Sequence, residues 1–210
     1  MRTTELFCGT KSFSQVMESA GHDTFTVDNE DSFNPSLVID ILNLEPLALP
    51  IEPDVLWASP PCEGFSVASI GANWTGGYRG YEPKSDTARN SIALAKKTIE
   101  IVKETRPKWW FIENPRGLLR KMTFMEDFLR DSGGTRYTIW YCRYGDSRAK
   151  PTDIFTNAKW FIPRPTCHNG NKDHVAAPRG SKTGTQGIHG YKNRSRIPPD
   201  LFHDILNQIP

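Results

Sequence analysis

Short apolar runs alternate along this chain with longer stretches whose apolar residues recur at every third or fourth position. The runs at 4–8, 24–27, 55–58, 109–113 and 138–143 read as strands, being brief and rich in β-branched or aromatic side chains. Between the third and the fourth, residues 87–105 carry Ile92, Leu94, Ala95, Ile99 and Val102 near helical spacing, and Pro107 stops the helix they predict. Further helices are predicted over 122–130, ended by Gly133 and Gly134, and over 199–208. This alternation predicts an α/β fold, a mostly parallel sheet with helices on both faces. Residues 64–84, rich in Gly, Ser and aromatic side chains without a period, read as a mobile loop, and residues 163–190 have a similar character. No internal repeat is visible.

A length of 210 residues suits one domain with a substantial core. No run reaches the roughly 18 apolar residues of a membrane span, and Met1-Arg2-Thr3-Thr4-Glu5 leads straight into a strand, so a soluble, intracellular protein with no membrane partner is expected. Cys8, Cys62, Cys142 and Cys167 are too widely spaced for a secreted disulfide framework, which favours thiols in a reducing compartment. The net charge of +2 hides an asymmetry. Residues 1–60 hold ten acids against Arg2 and Lys11, a net −8, whereas residues 158–196 hold eight bases against Asp173, a net +7. The first end suits a small cofactor and the second a polyanion, unless both are ordinary solvated faces.

In an open parallel sheet, ligands collect at the carboxyl ends of the strands. After the first strand come Phe7, Cys8, Gly9, Thr10 and Lys11, where Gly9 permits close approach of the backbone to a ligand or simply makes a turn. After the second comes Asp28, placed either to accept from a ribose or to lie in a solvated loop, and Asp40 either faces an adenine amine or caps a turn. The third ends in Ser59-Pro60-Pro61-Cys62-Glu63-Gly64-Phe65-Ser66, where two prolines stiffen the chain before a thiol and a glycine turns it away afterwards. The fourth, Trp109-Trp110-Phe111-Ile112, delivers Glu113-Asn114-Pro115 to the same edge, and an acid at the end of an apolar run needs a partner.

Pro60-Pro61-Cys62 followed by Glu113-Asn114-Pro115 resembles the signature pair of the cytosine-5 DNA methyltransferase family, in which a Pro-Pro-Cys loop supplies a nucleophile and a Glu-Asn-Val segment an acid. Other blocks follow in the family's order. Leu6-Phe7-Cys8-Gly9 is similar to the first cofactor motif, Asp28 to its ribose-binding acid, Asp40 to its adenine-contacting aspartate, and Asp86-Thr87-Ala88-Arg89 to the motif before a helix. Tyr144-Gly145-Asp146-Ser147-Arg148-Ala149-Lys150 is similar to the Arg-x-Arg segment that holds the target base, and Ile197-Pro198-Pro199-Asp200-Leu201 to the tail of the last motif. The sequence departs from the family in four places. Lys11 stands where a second glycine is usual, Glu63 where glutamine is common, Lys150 where arginine is, and Arg194-Ser195-Arg196 where Gly-Asn is. The segment available for target recognition shrinks to about forty residues, as in compact enzymes encoded by phages.

The resemblance implies a Rossmann-like methyltransferase fold using S-adenosylmethionine and releasing S-adenosylhomocysteine, with no metal. It implies a cofactor-binding and catalytic core over 1–157, a reduced basic recognition segment over 158–196, and a C-terminal helix over 197–210 that returns to the core. Cys62, Glu113, Arg148 and Lys150 would be catalytic; Phe7, Gly9, Thr10, Asp28, Asp40, Pro60 and Ser195 would hold the cofactor; Glu63, Ser66, Arg179, Lys182, Arg194 and Arg196 would meet DNA. The 64–84 loop would close over a flipped base. The expected setting is the cytoplasm of a bacterium or a phage-infected host, with a second copy or a partner protein compensating for the small recognition segment. Three alternatives stand beside this reading. Transfer RNA could be the substrate, the fold could be a catalytically silent nucleic-acid binder, and Cys142, Cys167, His168 and His174 could hold zinc, although their spacing fits no paired-ligand template well.

Overall fold

The computed structural model describes residues 1–77, 80–168, 170–172, 174, 190, 193 and 195–210. Seven strands form one sheet: β1 (Arg2–Leu6), β2 (Asp23–Asp28), β3 (Leu37–Val38), β4 (Val55–Ala58), β7 (Trp109–Pro115), β8 (Thr135–Trp140) and β9 (Pro151–Thr156). Their order is β3-β2-β1-β4-β7-β9-β8, and the first five are parallel. β9 lies between β7 and β8 and runs against both.

Alternation within the strands directs the two cores. On β4, Val55 and Trp57 point to one face, where they pack with Phe13 of α1 (Ser12–Ser19) and Leu201, Phe202 and Ile205 of the C-terminal helix α5 (Pro199–Gln208). Phe202 meets Trp57 edge-on, with ring centroids 4.8 Å apart. Leu56 and Ala58 point the other way, into the core formed with α3 (Asp86–Thr105) and α4 (Thr123–Asp131). Each sheet face is therefore covered, as a parallel sheet requires. The long helix α3 begins where Ser85 Oγ accepts the Ala88 N–H at 3.1 Å and ends at Arg106, in the left-handed region, just before Pro107.

Three elements differ from the sequence expectation. β8 lies three residues earlier than predicted, and Tyr141–Tyr144 forms a 3-10 turn whose Tyr141, Cys142 and Tyr144 are buried by packing and not by strand pairing. β9 has no apolar alternation to announce it, because its central Asp153 is a buried acid paired with Arg120, whose Nε donates to Oδ2 at 2.7 Å. Residues 64–84, expected as an irregular loop, contain a short helix α2 (Ile70–Asn73) and an antiparallel hairpin of β5 (Trp74–Gly77) with β6 (Gly80–Pro83).

Candidate active site

Since β8 runs parallel to β7, the turn from Tyr141 to Lys150 arrives at the same carboxyl edge as the ends of β1, β2, β4 and β7. The edge therefore collects side chains from five segments.

Beyond β4, the Cys62 loop is stitched down on two sides. Toward α3, the Gly64 N–H donates to Ser91 Oγ at 3.2 Å, and a Cβ at position 64 would lie 2.5 Å from that oxygen, so glycine is needed there. Toward β7, Asn114 Nδ2 donates to the Pro60 carbonyl at 3.0 Å, and the Leu118 N–H donates to the Phe65 carbonyl at 2.8 Å. A Cβ at Gly117 would come within 2.3 Å of the same Phe65 oxygen. The strand that carries Glu113 thus also holds the loop that carries Cys62. Cys62 is half-buried, and burial pushes its thiol above its ordinary value near 9, with the negative field of Glu113 adding to the rise and the ammonium of Lys150 opposing it.

Glu113 is buried at the end of β7, where Oε1 accepts the Tyr141 hydroxyl at 2.8 Å. Burial, then the Glu113 carboxylate, raises Tyr141 well above its ordinary range, so this hydroxyl keeps its proton and donates. Lys150 Nζ lies 4.5 Å above the Tyr141 ring and Arg148 lies 5.8 Å from it. Arg148 is buried, with Nε 2.9 Å from Asp146 Oδ1 and Nη2 donating to the Arg196 carbonyl at 3.1 Å. It therefore joins the turn to the residue two places before the C-terminal Pro-Pro. Tyr141 is the group that the sequence reading missed; an aromatic residue at a predicted strand end carries no signal that distinguishes an acid's partner from core packing.

At the other end of the edge, three of five consecutive residues have positive φ: Phe7 at 56°, Gly9 at 46° and Lys11 at 55°. Lys11 holds the left-handed conformation that favours glycine, the residue the family usually has there, and its ammonium reaches the Asn34 carbonyl. Thr10 Oγ1 lies 3.2 Å from Ser12 Oγ. Asp28 accepts the Gly9 N–H at 2.8 Å on one oxygen and the Glu30 N–H at 3.0 Å on the other, so it shapes both turns of the candidate cofactor edge. Glu30 presents the more exposed carboxylate at this strand end and was not singled out from sequence. Asp40 is exposed and accepts the Leu42 N–H at 2.9 Å, capping a 3-10 turn.

Glu63 is exposed, and Ser66 Oγ caps the turn that follows it by accepting the Ala68 N–H at 3.3 Å. Ser195 is half-buried and Arg196 is exposed, while Arg179, Lys182 and Arg194 lie outside the described residues. Arg164, counted in the basic segment, is engaged by the C-terminal helix: its Nε and Nη2 donate to the two Asp204 oxygens at 2.7 and 2.8 Å.

A family model described as C-5 cytosine-specific DNA methylase matches residues 1–131. The chain is 29% identical to the "Probable DNA (cytosine-5)-methyltransferase" of Frog virus 3 (isolate Goorha), with 99% of each chain covered. Among solved structures it is similar to a protein assigned as a DNA modification methyltransferase encoded within a prophage (E. coli), with TM-score 0.56, 15% identity and coverage of 99% of this chain and 69% of the other. It is also similar to the methyltransferase EhMeth of Entamoeba histolytica, with TM-score 0.54, 13% identity and coverage of 81% and 57%. At such identities the structural likeness speaks for the fold alone, a Rossmann-like methyltransferase fold, while the family match covers more than half of the chain. By that match, the chain belongs to the C-5 cytosine-specific DNA methylase family.

Proposed function

We propose that this protein methylates carbon 5 of cytosine in DNA through a covalent adduct at Cys62, with S-adenosylmethionine as donor. The observation that carries the proposal is the seam between the β4 and β7 ends. There Asn114 ties down the loop of a half-buried thiol while the adjacent Glu113 presents a buried carboxylate that acts on that thiol's charge.

Carbon 5 of cytosine is a weak nucleophile until a thiolate adds at carbon 6. Cys62 Sγ forms that bond, and the electron pair of the carbon 5–carbon 6 double bond moves into the ring. Glu113, held by Tyr141, shares or donates a proton at ring nitrogen 3 and so balances the charge that develops. Arg148 binds the ring carbonyl, and Lys150 beside Tyr141 helps to orient Glu113. S-adenosylmethionine, when bound, supplies the methyl group as an electrophilic sulfonium. Loss of the proton from carbon 5 then restores the ring double bond and expels Cys62. Because these atoms are hidden inside a duplex, the base must be flipped out, and the segment that follows Cys62 in sequence, 64–84, would cover it.

The side chains at the β1, β2 and β3 ends fit this cofactor. The carboxylates of Glu30 and Asp40 are exposed there, suited to ribose hydroxyls and an adenine amine, and the acidic character of residues 1–60 suits a ligand carrying ammonium and sulfonium charge. Asp28→Ala leaves the Gly9 and Glu30 N–H groups without their charged acceptor. A hydrogen bond to a charged group contributes about 1.5–3 kcal/mol, so cofactor affinity is expected to fall about tenfold to a hundredfold. Titration calorimetry checks this, and an unchanged dissociation constant moves the cofactor edge elsewhere.

The charge environment of Cys62 gives a separate test. Its raised thiol is mostly protonated at neutral pH, so alkylation by iodoacetamide should accelerate as pH rises toward and beyond 9. Lys150→Met removes the ammonium that opposes the rise, and alkylation of Cys62 at pH 8 should slow by about threefold or more. Cys8, pushed up to about 12 chiefly by burial, contributes nothing in this range. Alkylation that ignores the Lys150 substitution, followed by mass spectrometry of the Cys62 peptide, would separate these two groups.

The activity itself is tested by parallel methylation assays on duplex DNA and on transfer RNA, followed by sequencing of methylated cytosines in DNA from expressing cells. Methylated cytosine in DNA is the expected result. Methylation confined to transfer RNA would place the enzyme with RNA substrates, and methylation of neither would leave a silent binding module.

A further inference from the structure

Just beyond the turn residue that holds Glu113, the fold brings one donor together with two others from a later part of the chain. Cys142 sits in the 3-10 turn after β8, Cys167 lies 25 residues on, and His174 follows seven residues later. Their sulfur and nitrogen atoms all lie within 4.8 Å of one another, and Cys167 Sγ is 3.3 Å from His174 Nδ1. Both cysteines are buried and the histidine is half-buried. We infer that Cys142, Cys167 and His174 form a structural zinc site that staples the basic segment to the catalytic core.

Chemistry and distance both favour this reading. Zinc takes thiolate sulfur at about 2.3 Å and imidazole nitrogen at about 2.0–2.1 Å, which in a tetrahedron places sulfur and nitrogen about 3.6 Å apart and two sulfurs about 3.8 Å apart. The observed separations need only small side-chain adjustments to match. Binding would release one proton from each thiol, and two thiolates with a neutral imidazole cancel the charge of the ion, leaving one tetrahedral position for water.

The surroundings give such a site a purpose. From 158 to 196 the sequence contains few large apolar residues and many charged ones, too little to build a core of its own. A bound metal is one means by which such a segment gains folding energy. Cys142 is also next in sequence to Tyr141, whose hydroxyl holds Glu113. An ion at this point would fix the turn that supplies Glu113's partner and the start of the segment rich in positive charge, without touching substrate. Arg164 reinforces the same junction by placing its guanidinium 4.9 Å above the Tyr144 ring and by pairing with Asp204.

The experiment measures metal content in the full chain purified without added chelator. One zinc per chain is expected, and replacement by cobalt(II) should give the near-ultraviolet charge-transfer absorption of a site with two thiolates. Cys167→Ser and His174→Ala should each lower zinc affinity by more than about a hundredfold, beyond the loss typical when an outer partner of a ligand is removed. Cys62→Ser should retain the full metal content. Stripping the wild type with a chelator should speed tryptic cleavage within 158–196, and added zinc should restore protection, so the inference does not depend on a cysteine variant that folds poorly. It is overturned if the wild type carries no zinc and takes up none, if Cys167→Ser and His174→Ala bind it as the wild type does, or if Cys142 and Cys167 are found joined as a disulfide. A simple thiol–imidazole hydrogen bond would give the first of these results.

Discussion

Cys62→Ser is expected to abolish methyl transfer, with a loss on the order of 10^4-fold or more, the scale seen when an enzyme loses its nucleophile. The substitution is small and the position half-buried, and the backbone bonds that shape the loop, from Phe65 N–H to the Cys62 carbonyl and from Asn114 to Pro60, do not involve the sulfur. The fold and the cofactor edge should therefore survive, so that S-adenosylmethionine binds nearly as before. What disappears is addition at carbon 6, because a serine hydroxyl ionises far less readily than a thiol and is the weaker nucleophile. Trapping makes the assignment specific. In an oligonucleotide containing 5-fluorocytosine, carbon 5 carries no proton to lose after methylation, so the bond from Cys62 to carbon 6 cannot break and the complex persists in denaturing gels. The wild type should form this complex and Cys62→Ser should not. Normal turnover in the variant, or an adduct mapped to Cys8, Cys142 or Cys167, would remove Cys62 from the mechanism.

Much of the site was legible in the sequence because the chemistry lies immediately after strands, where local pattern is strong. β4 falls at 55–58 as read, and the two prolines before Cys62 and the apolar run before Glu113 mark loops whose positions the sheet then dictates. The helix α3 was legible for a similar reason, since its apolar spacing and its stop at Pro107 are local signals. Tertiary pairing determines what was hidden. Asp153 in the middle of β9 breaks the apolar pattern but is satisfied by Arg120 and by the Thr138 hydroxyl at 2.8 Å. The hairpin of β5 and β6 is disguised by Gly76, Gly77 and Gly80, two of which adopt positive φ. Net charge misled for Arg164, whose partners Asp200 and Asp204 lie 36 and 40 residues away. Cys142, Cys167, His168 and His174 were named from sequence as possible zinc ligands against a spacing that fits no template, and the fold brings Cys142, Cys167 and His174 of them within reach of one ion.

Glu113→Gln should reduce turnover by about a hundredfold or more, in line with the loss of a general acid, while moving the reactivity of Cys62 in the opposite direction. Glutamine keeps the length of the side chain, and its amide oxygen can still accept the Tyr141 hydroxyl, so the packing at the end of β7 has little reason to change. The amide, however, can neither share a proton with ring nitrogen 3 nor balance the positive charge there. The same substitution removes the negative field that helps to hold the Cys62 thiol above its ordinary value. The sign follows directly: a lowered thiol gives more thiolate at any pH below its midpoint, so iodoacetamide should alkylate Cys62 faster in Glu113→Gln than in the wild type, with the midpoint displaced to lower pH. A variant with a more reactive thiol and a crippled turnover would assign Glu113 to the base and not to thiol activation. If turnover falls by less than about threefold, another group supplies the proton. If turnover and alkylation fall together, Glu113 acts by activating Cys62, and the division of labour at this seam is the reverse of the one proposed.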